Sequence, residues 1–173
     1  QEGLAIDNYQ KAILHNPNYT KAYFNIALIY KDLGNKEDFL INIKKALSLK
    51  PDWGHAHYHL SRFKTYKKDD PQIEQMKSFL KSKDIISTDF IGFNFALAKA
   101  YEDLEEYDKQ FKYLDKANSF RKKELNYNIT KDKRLFAQIK FFFDGAFPTI
   151  KESKSNTLSF RPIFILGLPR SGT

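Results

Sequence analysis

Apolar and small residues recur along the first 120 positions of this chain at a spacing of 34 residues. Four positions repeat with a similar side chain: Ala5 with Phe39, Tyr9 with Ile43, Ala12 with Ala46, and Pro17 with Pro51. Five more repeat after 71 residues: Ala27 with Ala98, Tyr30 with Tyr101, Leu33 with Leu104, Ile43 with Leu114, and Ala46 with Ala117. Seventy-one is two intervals of 34 plus three residues, and we expect the extra residues in the polar turn KKDDPQ at 67–72.

This period predicts pairs of antiparallel helices. Ala27 and Ala46 are small enough for helices to cross closely, and larger residues fill the space beside each crossing. Gly34-Asn35 and Asp69-Asp70-Pro71 are typical turn sequences, so we place the turn inside each pair there. Pro17 and Pro51 are expected to end the second helix of a pair. Because one pair cannot bury its apolar face alone, the pairs should stack into a superhelix.

The pattern at 1–122 resembles the tetratricopeptide repeat (TPR) family. We read half a repeat at 1–17, a full repeat at 18–51, a longer one at 52–86 and a fourth at 87–122. The opening half-repeat predicts that the chain was cut from a longer one. The resemblance implies a mainly α fold, an α-α superhelix, with a concave groove that binds a protein or a peptide.

Two features of the expected groove suggest particular ligands. Some TPR domains clamp a terminal carboxylate with Lys, Arg and Asn on successive first helices, and Asn25 occupies one such position. His55 and His59 stand where strong cations would be needed, so we expect no clamp here. On a helix these two histidines share a face and His57 points elsewhere. They make a minimal metal pair without further ligands at a suitable spacing, and we predict groove-lining histidines and no metal.

Residues 123–160 read as a basic bridging helix and a linker. The segment TKDKRLFAQIKFFFDGAF at 130–147 predicts an amphipathic helix that Thr130 starts, with Asp132 in its first turn. Gly145 and Pro148 should end it, and KESKSNTLSF at 151–160 is a polar connector. The helix carries an apolar stripe that we expect to pack against a following domain: Leu135, Phe136, Ile139, Phe142 and Phe143.

The net charge of +8 is concentrated in this bridging region. Residues 1–120 carry 18 basic and 17 acidic side chains, and residues 121–161 carry 10 and 4. Such an excess either attracts an anionic ligand or only solvates an exposed helix. The chain has no cysteine, which fits a reducing compartment, and we predict a cytoplasmic protein. No apolar run approaches the roughly 18 residues that span a bilayer. We expect neither nucleic acid nor a membrane among its partners.

The last ten residues, FILGLPRSGT, predict a phosphate-binding loop. Residues 163–166 form an apolar run before Gly167, which is typical of a buried parallel strand. A strand followed by a Gly-rich turn can hold phosphate on backbone N–H groups. Gly167 and Gly172 have Walker A spacing, but Thr173 stands where a nucleoside triphosphatase needs Lys. The cation, Arg170, lies inside the loop, which argues against hydrolysis of ATP or GTP.

The loop LGLPRSGT resembles the 5′-phosphosulfate loop of sulfotransferases, above all tyrosylprotein sulfotransferases and bacterial TPR-fused sulfotransferases. The order of LSRFKTYKKDDPQIEQM, FALAKAYEDLEEYDKQF and RPIFILGLPRSGT matches that fused family, so the resemblance covers most of the chain. It implies that residues 161–173 begin an α/β, P-loop-like sulfotransferase domain, cut short at its first strand and loop. The implied donor is 3′-phosphoadenosine 5′-phosphosulfate (PAPS), without a metal.

The resemblance also assigns roles to the loop residues. Arg170 would contact the phosphosulfate, and its planar fork suits phosphate oxygens. Ser171, Gly172 and Thr173 would supply backbone and hydroxyl donors beside Pro169, and such donors stabilise the charge that builds on the leaving oxygen. The catalytic base would lie beyond Thr173, so the chain alone should be inactive. The acceptor, whether peptide tyrosine, sugar or small molecule, stays open. The alternative hypothesis is a TPR interaction scaffold without catalysis.

Overall fold

The computed structural model describes residues 2–144, which form eight helices and no strand. The helices are α1 (Glu2–His15), α2 (Thr20–Asp32), α3 (Lys36–Leu49), α4 (Gly54–Ser61), α5 (Pro71–Phe79), α6 (Ser87–Asp103), α7 (Tyr107–Glu124) and α8 (Ile129–Asp144). Residues up to Tyr127 make one compact unit, and α8 belongs to a second. The predicted stack of helix pairs over 1–122 is therefore confirmed for α1 to α7.

The small residues that carry the repeat lie where the helices pack. Ala27, Ala46, Ala98 and Ala117 are each at most 2% exposed. The pairs α2–α3 and α6–α7 pack side by side along their lengths. A helix surface with alanine at the crossing lets two helix axes approach closely, and the neighbouring large residues then fill the flanking space. Ile43 and Tyr101, from the larger class of repeated positions, are also buried.

A left-handed residue marks the turn inside each helix pair. Gly34, Asp69 and Glu105 have φ values of 75°, 64° and 58°. Successive turns are thus 35 and 36 residues apart, so the excess over 34 is one residue in the first interval and two in the second. The expectation that all three extra residues lie at 67–72 is wrong. The polar composition of that segment belongs to the turn itself, where Asp70 accepts a hydrogen bond from the Gln72 N–H at 3.0 Å.

The third pair, α4 and α5, departs from the repeat because α4 has only eight residues. After Ser61 the chain runs without a helix to Asp70. This connection is held by the backbone N–H of Tyr66, which donates to Asp103 of α6 at 3.0 Å. Tyr66 itself is 2% exposed and packs in a core with Met76 and Phe93. A single buried tyrosine thus occupies the space that a further turn of α4 would take.

Two hydrophobic clusters meet at this third pair. The first joins α2 and α3 to Ala56 and Leu60 of α4. The second joins α5, α6 and Tyr66. The ring of His57 on α4 lies 5.3 Å from that of Phe93, measured between centroids. The short helix α4 therefore contributes side chains to both sides of the stack.

Helix α8 begins one residue earlier than predicted. Asn128, and not Thr130, supplies the first side-chain acceptor, because its Oδ1 accepts from the Thr130 N–H at 2.9 Å. The apolar stripe of α8 is exposed among the described residues: Leu135, Phe136, Ile139, Phe142 and Phe143 are 43% to 74% exposed. The predicted packing against a following domain, and the predicted helix end at Gly145 and Pro148, lie outside the described residues.

Candidate functional site

Aromatic rings from three helices form a continuous band along the array. Phe24 of α2 lies 5.3 Å from His55 and 5.6 Å from His59 of α4, measured between ring centroids. Tyr58 of α4 lies 5.3 Å from His59 and 5.6 Å from Phe95 of α6. We call these five side chains the aromatic band. His55 is exposed and Tyr58 and Phe95 are half-buried, so the band presents ring surface to solvent.

The repeat explains why these rings meet. Phe24 and Tyr58 are 34 residues apart, and Phe95 follows Tyr58 by 34 plus three. Each ring therefore stands at the same position in the first helix of its pair, on α2, α4 and α6. The sequence analysis missed these aromatic positions, although the 34-residue offset carries the signal. It did predict that His55 and His59 share a face, and their centroids are 4.9 Å apart.

The electrostatic surroundings keep both histidines of the band neutral at pH 7. Burial lowers the pKa of His59 to about 4, and the nearby His55, Lys31 and Arg62 act in the same direction. Burial also lowers the pKa of His55, with further lowering by Lys31 and Arg121. Three fixed cations thus lie close enough to influence the band. A buried or positively surrounded imidazole favours its uncharged form.

His57 points to the opposite side of α4, as predicted, and belongs to the scaffold. Its Nε2 donates to the Pro51 carbonyl at 2.9 Å, and its Nδ1 accepts from the Gln72 amide at 2.7 Å. Lys64 donates to the Gln72 Oε1 at 2.9 Å and pairs with Asp70 at 2.6 Å. These bonds set the orientation of the amide and the tautomer of the ring, and burial lowers the pKa of His57. The network attaches α5 to α4.

A cavity of about 400 Å³ opens between α4 and α6 beside the band. Its walls include the rings of His55, Tyr58 and Phe95, with Thr88, Ile91 and Arg121. Within the described part of the chain, no carboxylate lines this cavity. The cavity is therefore apolar at its walls and carries one cation, the guanidinium of Arg121 at the end of α7.

Asn25, the one residue at a carboxylate-clamp position, is engaged within the array. Its amide donates to the hydroxyl of Tyr9 on α1 at 3.1 Å. Across residues 2–144, no group of three or more His, Cys, Asp or Glu side chains is arranged to hold a metal ion. None of the helices described combines the length and apolar character needed to cross a bilayer.

Three further residues set the position of α4 against α6, and the sequence analysis missed them. The Oδ1 of Asp89 accepts from the backbone N–H of His55 at 3.2 Å, which satisfies an N–H in the first turn of α4. Gly54 and Gly92 lie at the crossing itself. A Cβ on Gly54 would be 2.8 Å from the Asp89 Cα, and one on Gly92 would be 2.7 Å from the His55 N. The close approach that brings Tyr58 to Phe95 thus requires both glycines.

The residues predicted to bind the nucleotide lie outside the described part of the chain. These are Pro169, Arg170, Ser171, Gly172 and Thr173, together with the strand expected before them. Their assignment to a phosphosulfate loop stays a prediction from the sequence.

Comparison with known proteins identifies the repeats. Residues 20–52 and 91–124 match the family model of the tetratricopeptide repeat, and these segments contain α2–α3 and α6–α7. The chain therefore contains tetratricopeptide repeats. The short third pair falls between the two matches, in keeping with its irregular helix.

Two individual proteins are also similar to this chain. An uncharacterized protein of Aquifex aeolicus (strain VF5) is 33% identical over 108 residues, which are 62% of this chain. The matched region spans only 14% of that protein's length. A chain described as the crystal structure of MamA shares 19% identity at a TM-score of 0.35. That match covers 70% of this chain and 90% of the other.

Proposed function

We propose that the repeats bind another protein, or a peptide segment of one, through the surface formed by α2, α4 and α6. The observation that carries this proposal is the aromatic band, which runs across all three helices and exposes ring surface. Aromatic side chains offer large contact areas at a small entropic cost, and they dominate the energetics of protein interfaces. Tetratricopeptide repeats are interaction modules in general, which supports the same proposal.

A photo-crosslinking experiment tests this proposal in the full-length protein. A photoreactive amino acid replaces the exposed His55, and a matched variant carries it at the exposed Lys112 on α7. We expect a discrete crosslinked protein at position 55 and not at position 112. That protein is then purified, and its binding is measured by calorimetry with wild type and with Tyr58→Arg. Equal crosslinking at both positions, or unchanged affinity of Tyr58→Arg, would contradict the proposal.

We also propose a second function, for a longer chain that continues past Thr173. There the loop 167–172 would bind PAPS, and the protein would transfer a sulfuryl group to a hydroxyl acceptor. The support is the sequence LGLPRSGT, with its apolar run, two glycines and internal arginine. The repeats would then present a protein acceptor, such as a peptide tyrosine, or recruit a partner to the enzyme.

Substitution of Arg170 in the longer chain tests the second function. Removing one donor to a developing negative charge costs about 3–4 kcal/mol in the transition state. We therefore expect Arg170→Ala to slow transfer and weaken binding of the desulfonated nucleotide in calorimetry. Arg170→Lys should restore binding in part, since lysine keeps the charge but not the planar fork. Full activity of Arg170→Ala would show that the loop does not hold the phosphosulfate.

A further inference from the structure

The cavity between α4 and α6 has the size and lining of a pocket for a single side chain. Its volume of about 400 Å³ is at the lower end of the range for ligand pockets. A helix with its side chains is roughly 10–12 Å wide and would need a broader groove. The rings of Tyr58 and Phe95, 5.6 Å apart and tilted by 48°, provide two aromatic walls, and Ile91 adds an aliphatic one. Such walls suit a ring or another large apolar side chain.

The charge of the pocket favours an anionic neighbour of that side chain. Arg121 is the one charged residue among the lining residues described. It already pairs with Glu124 at 2.6 Å, but the pair is exposed, with half of the arginine side chain open to solvent. Exposed ion pairs contribute little, and a guanidinium has five N–H donors. Arg121 can therefore accept a second carboxylate partner at low cost.

We propose that this pocket selects an extended acidic segment of a partner protein, with an aromatic residue followed two positions later by Asp or Glu. Side chains two residues apart in an extended chain point to the same side and lie about 7 Å apart. The ring enters between Tyr58 and Phe95, and the carboxylate meets Arg121. This inference rests on the proposed protein-binding function and adds the chemistry of the partner.

The test uses synthetic peptides with the ¹⁵N-labelled 173-residue chain. The probe is the capped peptide Gly-Ser-Phe-Gly-Glu-Ser-Gly, compared with versions that carry Gln or Lys for Glu, or Ala for Phe. We expect the Glu peptide to shift the amide signals of His55, Phe95 and Arg121. A charge-assisted contact should make it bind about ten-fold more tightly than the Lys peptide. Replacing Phe by Ala should abolish measurable binding.

Two protein variants separate the pocket from general electrostatic attraction. Arg121→Gln should remove the preference for Glu over Gln while the protein keeps its fold, because the side chain is exposed. Arg134→Gln, a matched change on α8, should leave the preference intact. Equal binding of the Glu, Gln and Lys peptides, or an equal loss in both arginine variants, would overturn the inference. If no peptide binds while a crosslinked partner still requires Tyr58, the inference fails and the proposed function stands.

Discussion

The crossing of α4 and α6 offers the sharpest test of the fold, because two glycines face each other there. Replacing Gly92 with Ala would place a methyl group closer than 3.0 Å to the backbone of Gly54 and His55. Backbone cannot rotate away as a flexible side chain can. Helix α6 would have to move outward from α4, which would also lengthen the hydrogen bond between Asp89 and the His55 N–H.

The expected cost follows from two opposing effects. Overpacking a close contact typically destabilises a protein by about 1–3 kcal/mol. Alanine also favours a helix interior over glycine by roughly 0.5–1 kcal/mol. Gly3 on α1 is the matched control, since a Cβ there has nothing within 4 Å. The helix preference largely cancels between Gly92→Ala and Gly3→Ala, so their difference in unfolding free energy reports the packing cost, about 1–3 kcal/mol.

Urea denaturation of the 173-residue chain, followed by circular dichroism at a helix band, measures this difference. Gly92→Ala should unfold at lower urea and Gly3→Ala at the same or higher urea than wild type. In thermal unfolding, 1 kcal/mol corresponds to roughly 2–4 °C at this chain length, so the variants should differ by about 2–12 °C. Equal midpoints for the two variants would mean that α4 and α6 do not cross at Gly54 and Gly92.

Three more predictions address the core, the band and the irregular third pair. Ala46→Leu should lower the unfolding free energy by about 1–3 kcal/mol, because Ala46 is fully buried at a crossing, whereas Lys36→Ala should not; equal thermal midpoints would refute the assigned register. The unfolded chain protonates His59 near pH 6.5 but the folded chain only near pH 4, so stability should fall as pH decreases between these values. His59 should account for roughly 1–2 kcal/mol of that loss by pH 5, and His59→Phe should show a shallower dependence in urea titrations; identical pH profiles would refute this. Tyr66→Phe should keep or raise the thermal midpoint, since the buried hydroxyl has no partner among the described residues, while Tyr66→Ala should lose about 3 kcal/mol or more; a large loss in Tyr66→Phe would reveal a bond to the hydroxyl.

The sequence was sufficient to predict the features that repeat. Ala46 and Ala117 share one position in successive pairs, and both are buried. Burial of a small residue at a helix crossing recurs with the repeat, so self-comparison of the sequence detects it. The face shared by His55 and His59 follows from helix geometry alone and was predicted for the same reason.

The features that were missed arise between pairs. Gly92 lies inside a helix, where glycine alone indicates only low helix preference, and its purpose depends on Gly54 in the preceding pair. Asp89 bonds a backbone N–H 34 residues earlier, which no local pattern reveals. The early end of α4 was also missed, because Tyr66 replaces the absent turn through a contact with a later helix. Tertiary contacts override local preference at each of these positions.

The dependence of the third pair on the fourth limits how this array can change in evolution. Repeat proteins lengthen when a segment of the gene is duplicated in tandem. Residues 53–86 would make a defective copy, because Asp89 and Asp103, which bond the His55 and Tyr66 N–H groups, lie in the following pair. In a tandem duplicate, the first copy would face His55 of the second copy where it needs Asp89. A viable duplication would therefore have to carry the third and fourth pairs together, and this array should gain or lose length two units at a time in that region.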